Sequence, residues 1–305
     1  RGYPHFRPPY PVEKGFRDRP TLVNNVETLS LVPWIINNGS EAFSNIGTEK
    51  SKGTKVFALA GKISKGGLIE VPMGTTIRDI VENIGNGVGE GRTFKAVQIG
   101  GPSGGCIPAG LADTPVDYEQ LSRMGAMMGS GGLVVLDDTD CMVDIAKYFL
   151  SFTHKQSCGK CTFCRVGTKQ MLNILTALSE GKATMADIEE LERLSHDVRN
   201  GSLCGLGKTA PNPVLTGLQY FREEYEAHTR GICHAKKCRE LVKYVITDQC
   251  TGCTKCYQEC PVQAIDFKPY EKHSIDLAKC TKCDNCRIVC PEGAVEIVSL
   301  NEDKN

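Results

Sequence analysis

The sequence predicts an α+β multidomain protein, and three observations carry that prediction. Residues 55–100 read strand–strand–helix–strand. Residues 141–227 hold four runs with apolar residues three to four apart. After Tyr244 the helical period ends, and a cysteine-dense block repeats itself at a period of 30 residues. These imply a small sheet unit, a bundle of four helices and a compact cysteine-rich tail, in that order along the chain.

The totals narrow the function classes. A chain of 305 residues has room for two or three domains with real cores. Its formal net charge is zero, so the basic footprint of a general nucleic-acid binder is missing. No apolar run approaches the roughly 18 residues of a membrane span. The opening residues, Pro/Arg/Tyr-rich and starting at Arg1, lack the apolar stretch of a signal peptide. They suggest a chain that begins inside a longer polypeptide. Fourteen of the sixteen cysteines crowd between Cys158 and Cys290 at short repeated spacings. That pattern fits metal ligation better than the disulfide framework of a small secreted domain, and it implies a reducing compartment, the cytoplasm.

The elements follow in order. Extended Pro-rich sequence opens the chain, and a helix is expected from Val26 to Asn37 with Leu29, Val32, Ile35 and Ile36 on one face. Lys55–Ala60 and Leu68–Val71 pair as a hairpin about Gly66-Gly67, Thr76–Asn83 forms a short helix, and Lys95–Ile99 a further strand. That order is compatible with a β-grasp (ubiquitin-like) unit. The Gly100–Gly105 loop, GGPSGG, either approaches a cofactor closely or is a surface turn; without a following Gly-Lys-Ser/Thr it is not a P-loop. Helices are expected over Asp144–Phe152, Arg165–Leu178, Met185–His196 and Pro211–Tyr225, the last with prolines in its first turn, where they are tolerated. Short strands are expected at Ala264–Phe267 and Ala294–Val298.

The tail repeat carries the first chemistry. CTGCTKCYQECPVQAI, from Cys250, aligns with CTKCDNCRIVCPEGAV, from Cys280, and every cysteine and the following proline match. Each half is C-x2-C-x2-C-x3-C-P, the run of bacterial two-cluster ferredoxins, whose fourth cysteine serves the other cluster. The crossover assigns Cys250, Cys253, Cys256 and Cys290 to one [4Fe–4S] and Cys280, Cys283, Cys286 and Cys260 to a second. Paired zinc sites are the competing reading, but zinc rarely takes four cysteines in such a run. Upstream, CGKCTFCRVG offers Cys158, Cys161 and Cys164; the fourth ligand of a third [4Fe–4S] is Cys204 in SLCGLG, with a structural zinc site as the alternative.

Here a resemblance enters. CGKCTFCRVG followed some forty residues on by SLCGLG, together with YPHFRPPYPVEKG and PTLVNNVETL near the start, resembles the NADH-oxidising flavin subunit of respiratory complex I over about residues 1–225. The added ferredoxin tail is similar to the β subunits of NAD(P)-linked, often electron-bifurcating [FeFe]-hydrogenases and to equivalent subunits of NAD-dependent formate dehydrogenases. The resemblance implies FMN contacts at Asn24, Asn25 and Thr28. It also implies NAD(P)H as hydride partner, a thioredoxin-like [2Fe–2S] subunit, a catalytic hydrogenase or formate dehydrogenase subunit, and ferredoxin as partners. The family's Gly-rich FMN/NADH loop is absent from these residues, so flavin and nucleotide binding belong to a longer chain.

Four cysteines remain. Cys106 reads as packing or flavin-adjacent. Cys141, at the start of the first bundle helix, could face the end of the fourth in an up-down-up-down bundle. With His228, Cys233 and Cys238 it would close a tetrahedral Cys3His zinc site of structural role, with His234 or, more remotely, His154 as the alternative nitrogen ligand. Three inert thiols and a fourth iron–sulfur cluster are the competing readings.

The expected organisation is then residues 1–50, the end of a flavin domain; 51–110, a β-grasp (SLBB-like) unit; 111–230, a helical bundle with one [4Fe–4S]; 231–245, a linker that lets the tail move; and 246–305, a two-cluster ferredoxin domain. The expected function is a diaphorase-type electron-transfer subunit. From Val245 to Asn305 there are 7 Lys/Arg against 10 Asp/Glu, a net −3, which suits docking to basic partners. A ferredoxin carrier fused to a scaffold without flavin chemistry is the alternative; a zinc-based nucleic-acid adaptor lacks its basic stripes.

Overall fold

A computed structural model describes Phe6 and residues 8–301. Most of the extended opening lies outside the described residues. The chain divides into two compact units: one of residues 1–138, 148–171 and 192–220, the other of 139–147, 172–191 and 221–305.

The first unit begins with three helices, α1 (Pro11–Lys14), α2 (Val26–Asn38) and α3 (Ser40–Ser44). Asn25 starts α2 by accepting the Glu27 N–H at 2.8 Å, and Gly39, at φ 88°, ends it. The Glu27 carboxylate reaches β1 (Thr54–Gly61), where it pairs with Lys55 and accepts the Val56 N–H at 2.8 Å. Burial opposes its ionisation, but the Lys55 ammonium and the Val56 N–H hold it below the usual carboxylate range.

The sheet of this unit runs β2-β1-β5-β3-β4. β2 is Gly67–Pro72, β3 Phe94–Ile99, β4 Gly105–Pro108 and β5 Gly132–Asp137. β1 and β2 form the expected hairpin, and β5 lies parallel to β1 and antiparallel to β3. The predicted boundary at residue 110 is therefore corrected. The central strand comes from beyond it, where LVVLD follows a glycine-rich turn and short helix α4 (Tyr118–Arg123) and carries no alternation to mark it. The predicted helix at 76–83 forms, as a short helix that widens to π over Asp79–Ile84, whose Ile80 and Val81, with Ile77, are fully buried among Phe57, Ile99, Ile107 and Leu133.

The Gly100–Gly105 loop is a turn built on backbone approach. A Cβ on Gly104 would stand 1.8 Å from the Ile99 carbonyl oxygen, and Ser103 C=O accepts from Asn212 Nδ2. Cys106 behind it is buried, its Sγ 2.8 Å from Gln98 Oε1, and burial pushes the thiol up to about 12. It is a packing residue.

Helices α5 (Met142–Gln156), α6 (Thr168–Ser179), α7 (Met185–Gly201) and α9 (Asn212–Thr229) each give residues to both units; α8 (Gly205–Thr209) lies in the first. No described helix is long and apolar enough to cross a membrane.

In the second unit β6 (Val242–Ile246) pairs antiparallel with β7 (Val295–Ser299), beside the short helices α10 (Lys255–Gln258) and α11 (Asn285–Ile288). The expected linker over 231–245 is corrected in two ways. Its last residues are strand, and its middle is tied down: Ser299 Oγ donates to the Cys233 carbonyl, Asn301 Nδ2 to that of Arg230 and Leu300 N to that of Leu241. These bonds argue against the free hinge expected there. The expected strand at Ala264–Phe267 reduces to a single bridge, Ile265 to Ile275.

Candidate metal centres

The tail repeat is repeated in backbone as well as in sequence. Gly252 and Lys282, Thr254 and Asp284, Gln263 and Gly293 all take positive φ, each pair 30 residues apart. The left-handed turn before α10 and α11 lets three thiols at three-residue spacing face one point. The N–H groups of Ala264 and Ala294 donate to Cys260 and Cys290 Sγ at 3.2 and 3.3 Å. Two hollows result. One is lined by Cys260, Cys280, Cys283 and Cys286; the other by Cys250, Cys253, Cys256 and Cys290. Each holds three cysteines of one half and the fourth of the other. Burial, with the charge of Cys280 next, pushes Cys286 up to about 11, and burial likewise raises Cys256. Crowded, half-buried thiols of this kind are held as thiolates by bound metal. The donor set, four thiols in each hollow, fits an iron–sulfur cubane.

In the first unit Cys158 and Cys161 precede, and Cys164 lies within, the wide turn Phe163–Gly167, and Cys204 sits at the N-terminus of α8. The two segments meet. A Cβ on Gly207 would stand 3.1 Å from Cys164 Cβ; burial opposes ionisation of Cys161, but the nearby Leu203 N–H and Ser202 hydroxyl hold its thiol below the usual range. Cys164 is raised, first by burial and then by the charges of Cys161, Cys204 and Cys158. Ser157 Oγ lies 3.2 Å from its sulfur. All four sulfurs thus share one neighbourhood, with Cys158 and Cys204 exposed.

The second unit holds a different centre. Cys141, His228, Cys233 and Cys238 are all buried, and their ligand atoms lie within 4.8 Å of one another. Cys141 Sγ is 3.3 Å from His228 Nε2 and 3.7 Å from Cys238 Sγ, and His228 Nε2 is 3.3 Å from Cys238 Sγ. Tetrahedral zinc with ordinary Zn–S and Zn–N lengths has S···S edges of about 3.8 Å and S···N edges of about 3.5 Å. The set fits that ion. His228 Nδ1 donates to the Glu224 carbonyl at 2.6 Å, which fixes the tautomer and turns the Nε2 lone pair toward the sulfurs. Crowding of the three thiols lowers Cys233 against its burial and raises Cys141. His234 is exposed, and His154 Nδ1 bonds to Thr168 Oγ1; neither belongs to the group.

The residues expected at FMN are placed less specifically. Asn25 caps α2 and Asn24 is exposed. Thr28 lines a hollow with Glu27, Lys55 and Tyr118. The sequence does not single out His273. It is buried, with Nδ1 3.6 Å from Cys250 Sγ, but it falls between the two halves of the repeat, where no spacing marks it.

Comparison with known proteins agrees with this geometry. Residues 144–228 match the NADH-ubiquinone oxidoreductase-F iron–sulfur binding region, and residues 243–297 match the 4Fe-4S dicluster domain. The chain is 50% identical over 275 residues to the NADP-reducing hydrogenase protein HndC of Solidesulfovibrio fructosivorans, covering 90% of this chain and 56% of that protein. It is 40% identical over 228 residues to an F-type polypeptide of the NADH-quinone oxidoreductase of Rhizobium meliloti (strain 1021), covering 75% and 54%. It also resembles a chain in the crystal structure of an air-oxidised NAD+-reducing [NiFe]-hydrogenase, with a TM-score of 0.65 at 37% identity over 74% of this chain and 38% of that one. The chain spans about half the length of the curated relatives it matches. It joins an iron–sulfur region of the NADH-quinone oxidoreductase F type to a 4Fe–4S dicluster ferredoxin domain.

Proposed function

We propose that this chain is the electron-transfer part of an NAD(P)H-linked oxidoreductase subunit of the hydrogenase type. The observation that carries the reading is the sorting of eight tail cysteines into two four-cysteine hollows, each crossing between the repeat halves. Cys250, Cys253, Cys256 and Cys290 would hold one [4Fe–4S], Cys280, Cys283, Cys286 and Cys260 a second, and Cys158, Cys161, Cys164 and Cys204 a third. The clusters supply one-electron steps, and the FMN that the resemblance implies would link them to a hydride carrier. The protein's part is to fix the thiolates, exclude water from Cys164, Cys256 and Cys286, and leave Cys158 and Cys204 exposed for exchange. Asn24, Asn25 and Thr28 would meet FMN only together with a nucleotide-binding domain. Cys141, His228, Cys233 and Cys238 would hold zinc, closed to substrate and structural.

We read the sheet as a β-grasp, supported by its mixed order with β5 at the centre, and α5, α6, α7 and α9 as a four-helix bundle. A hydrogenase is favoured over a formate dehydrogenase as the complex served, because HndC and the [NiFe] structure are both hydrogenase-named. Partners would be a [2Fe–2S] subunit, the catalytic subunit and ferredoxin, in the cytoplasm.

Anaerobically purified full-length protein should hold about twelve irons, three cubanes of four, and about one zinc per chain. It should also bind flavin and reduce a dye with NAD(P)H. Eight or fewer irons, unchanged by Cys158→Ala, would remove the third cluster. No flavin and no NAD(P)H–dye activity would leave a ferredoxin carrier on a scaffold.

A further inference from the structure

The halves of the tail repeat match in backbone but not in what meets their sulfurs. Ala264 N and Ala294 N give each set one equivalent bond, to Cys260 and Cys290. On the second set, Cys280 Sγ accepts from the backbone N–H of Lys282 at 3.4 Å. The corresponding ligand of the first set, Cys250, is met by a side chain: His273 Nδ1, at 3.6 Å. His273 is 2% exposed and lines the hollow of Cys250, Cys253, Cys256 and Cys290. Its Nε2 has no hydrogen-bond partner among the described residues.

The ring stands with one nitrogen beside a ligand sulfur. Its place is fixed from the next residue. Ser274 N donates to Asp266 Oδ1 at 2.6 Å and Ser274 Oγ to Asp266 Oδ2 at 3.0 Å, beside the Ile265–Ile275 bridge. A metal-bound thiolate offers only lone pairs. Nδ1 must then carry the ring proton and donate it toward Cys250, and Nε2 is left as the lone pair without a partner.

We propose that His273 is a positioning residue that raises the reduction potential of one cluster of the pair, the one held by Cys250, Cys253, Cys256 and Cys290, through an Nδ1–H···Sγ bond to Cys250. This rests on the reading of those four cysteines as a [4Fe–4S] site. An N–H directed at a ligand sulfur stabilises the added negative charge of the reduced form more than the oxidised form. The step is a one-electron reduction in which His273 keeps its proton. The bond falls on Cys250 of one set, while the corresponding Cys280 of the other is met by the Lys282 backbone N–H, so it distinguishes two clusters that the repeat would otherwise make alike.

The test is an EPR-monitored redox titration of full-length, iron-replete protein, wild type against His273→Leu and His273→Gln, with iron counted in each. The leucine variant should lower the midpoint of one ferredoxin-domain cluster by about tenfold in its reduction equilibrium, about 59 mV for one electron. The other clusters should stay in place, and glutamine, which keeps an N–H, should recover part of the shift. Unchanged midpoints, or equal movement of both ferredoxin clusters, overturn the proposal. A second measurement needs no variant: 15N-histidine labelling of the wild type should change the nitrogen couplings of one reduced-cluster signal, and their absence overturns the proposal even if the leucine variant loses iron. Iron content separates the two failures: too little iron in wild type sinks the cluster reading, whereas full iron with no histidine effect sinks only the role of His273.

Discussion

The cysteines borne at the ends of the long helices form two groups that differ in burial. Cys158 and Cys204 are exposed, Cys161 is half-exposed and Cys164 alone is buried, while Cys141, Cys233 and Cys238 are 1%, 0% and 4% exposed, with His228 buried among them. On the proposed reading the first group would stand where electrons enter or leave; the second is closed. Burial also sets what each metal does for stability. Removing metal from the first group leaves Cys158 and Cys204 where water can solvate them and only Cys164 buried. Removing it from the closed group leaves three thiols and an imidazole crowded in an apolar setting.

The largest effect should follow from emptying the closed group. Cys233→Ser with Cys238→Ser should remove the one zinc, leave iron unchanged, and lower the melting temperature by about 10 °C or more, since structural zinc contributes folding free energy directly. Zinc absent from wild-type protein with full iron would end the distinction. Acid should expose the same difference next. Zinc needs deprotonated thiols and a neutral His228, so its affinity falls as protons compete, and zinc release into a chromogenic chelator should accelerate as pH drops from 8 to 5.5, on the order of tenfold or more. A pH-independent release rate would mean that the ion is held by other groups.

A smaller effect is expected in the exposed group. Cys204→Ala should remove about four of twelve irons yet shift the melting temperature by only about 3 °C or less. An equal loss of stability in this variant and in the double zinc variant would erase the contrast.

The smallest belongs to a surface clamp. Lys268 first, then the Ser274 N–H, hold the Asp266 carboxylate down to about 2. A depressed folded-state value means that its contribution is complete above the unfolded value of about 3.9 and is lost only as pH falls through 2. Asp266→Asn should therefore speed hydrogen exchange in the Ile265–Ile275 turn equally at pH 6 and pH 8, with a stability loss of about 0.5 kcal/mol as usual for a solvent-screened pair. A difference between the two pH values would point to another titrating group.

Legibility in the sequence tracks distance along the chain. The hairpin of β1 and β2, the long helices and β7 are readable, because apolar period and turn residues are local signals. β5 is not: its place between β1 and β3 is set by residues more than thirty positions away, and a buried central strand carries no alternation. The segment expected as a linker escapes for the same reason, since Ser299, Leu300 and Asn301 hold it from across the tail.

The sequence by itself determined which cysteines are the candidate ligands. Thiols spaced by two residues can face one point only through a tight local turn, so C-x2-C-x2-C declares its chemistry before any fold is known. Tertiary structure decided which distant groups complete or modify each centre. Only folding brings Cys141 to within 3.3 Å of His228 across 87 residues, turns the His228 lone pair inward through the Glu224 carbonyl, and sets His273 against one cysteine of sixteen. Such contacts depend on how helix ends and loops pack together, and packing leaves no periodic mark in a sequence.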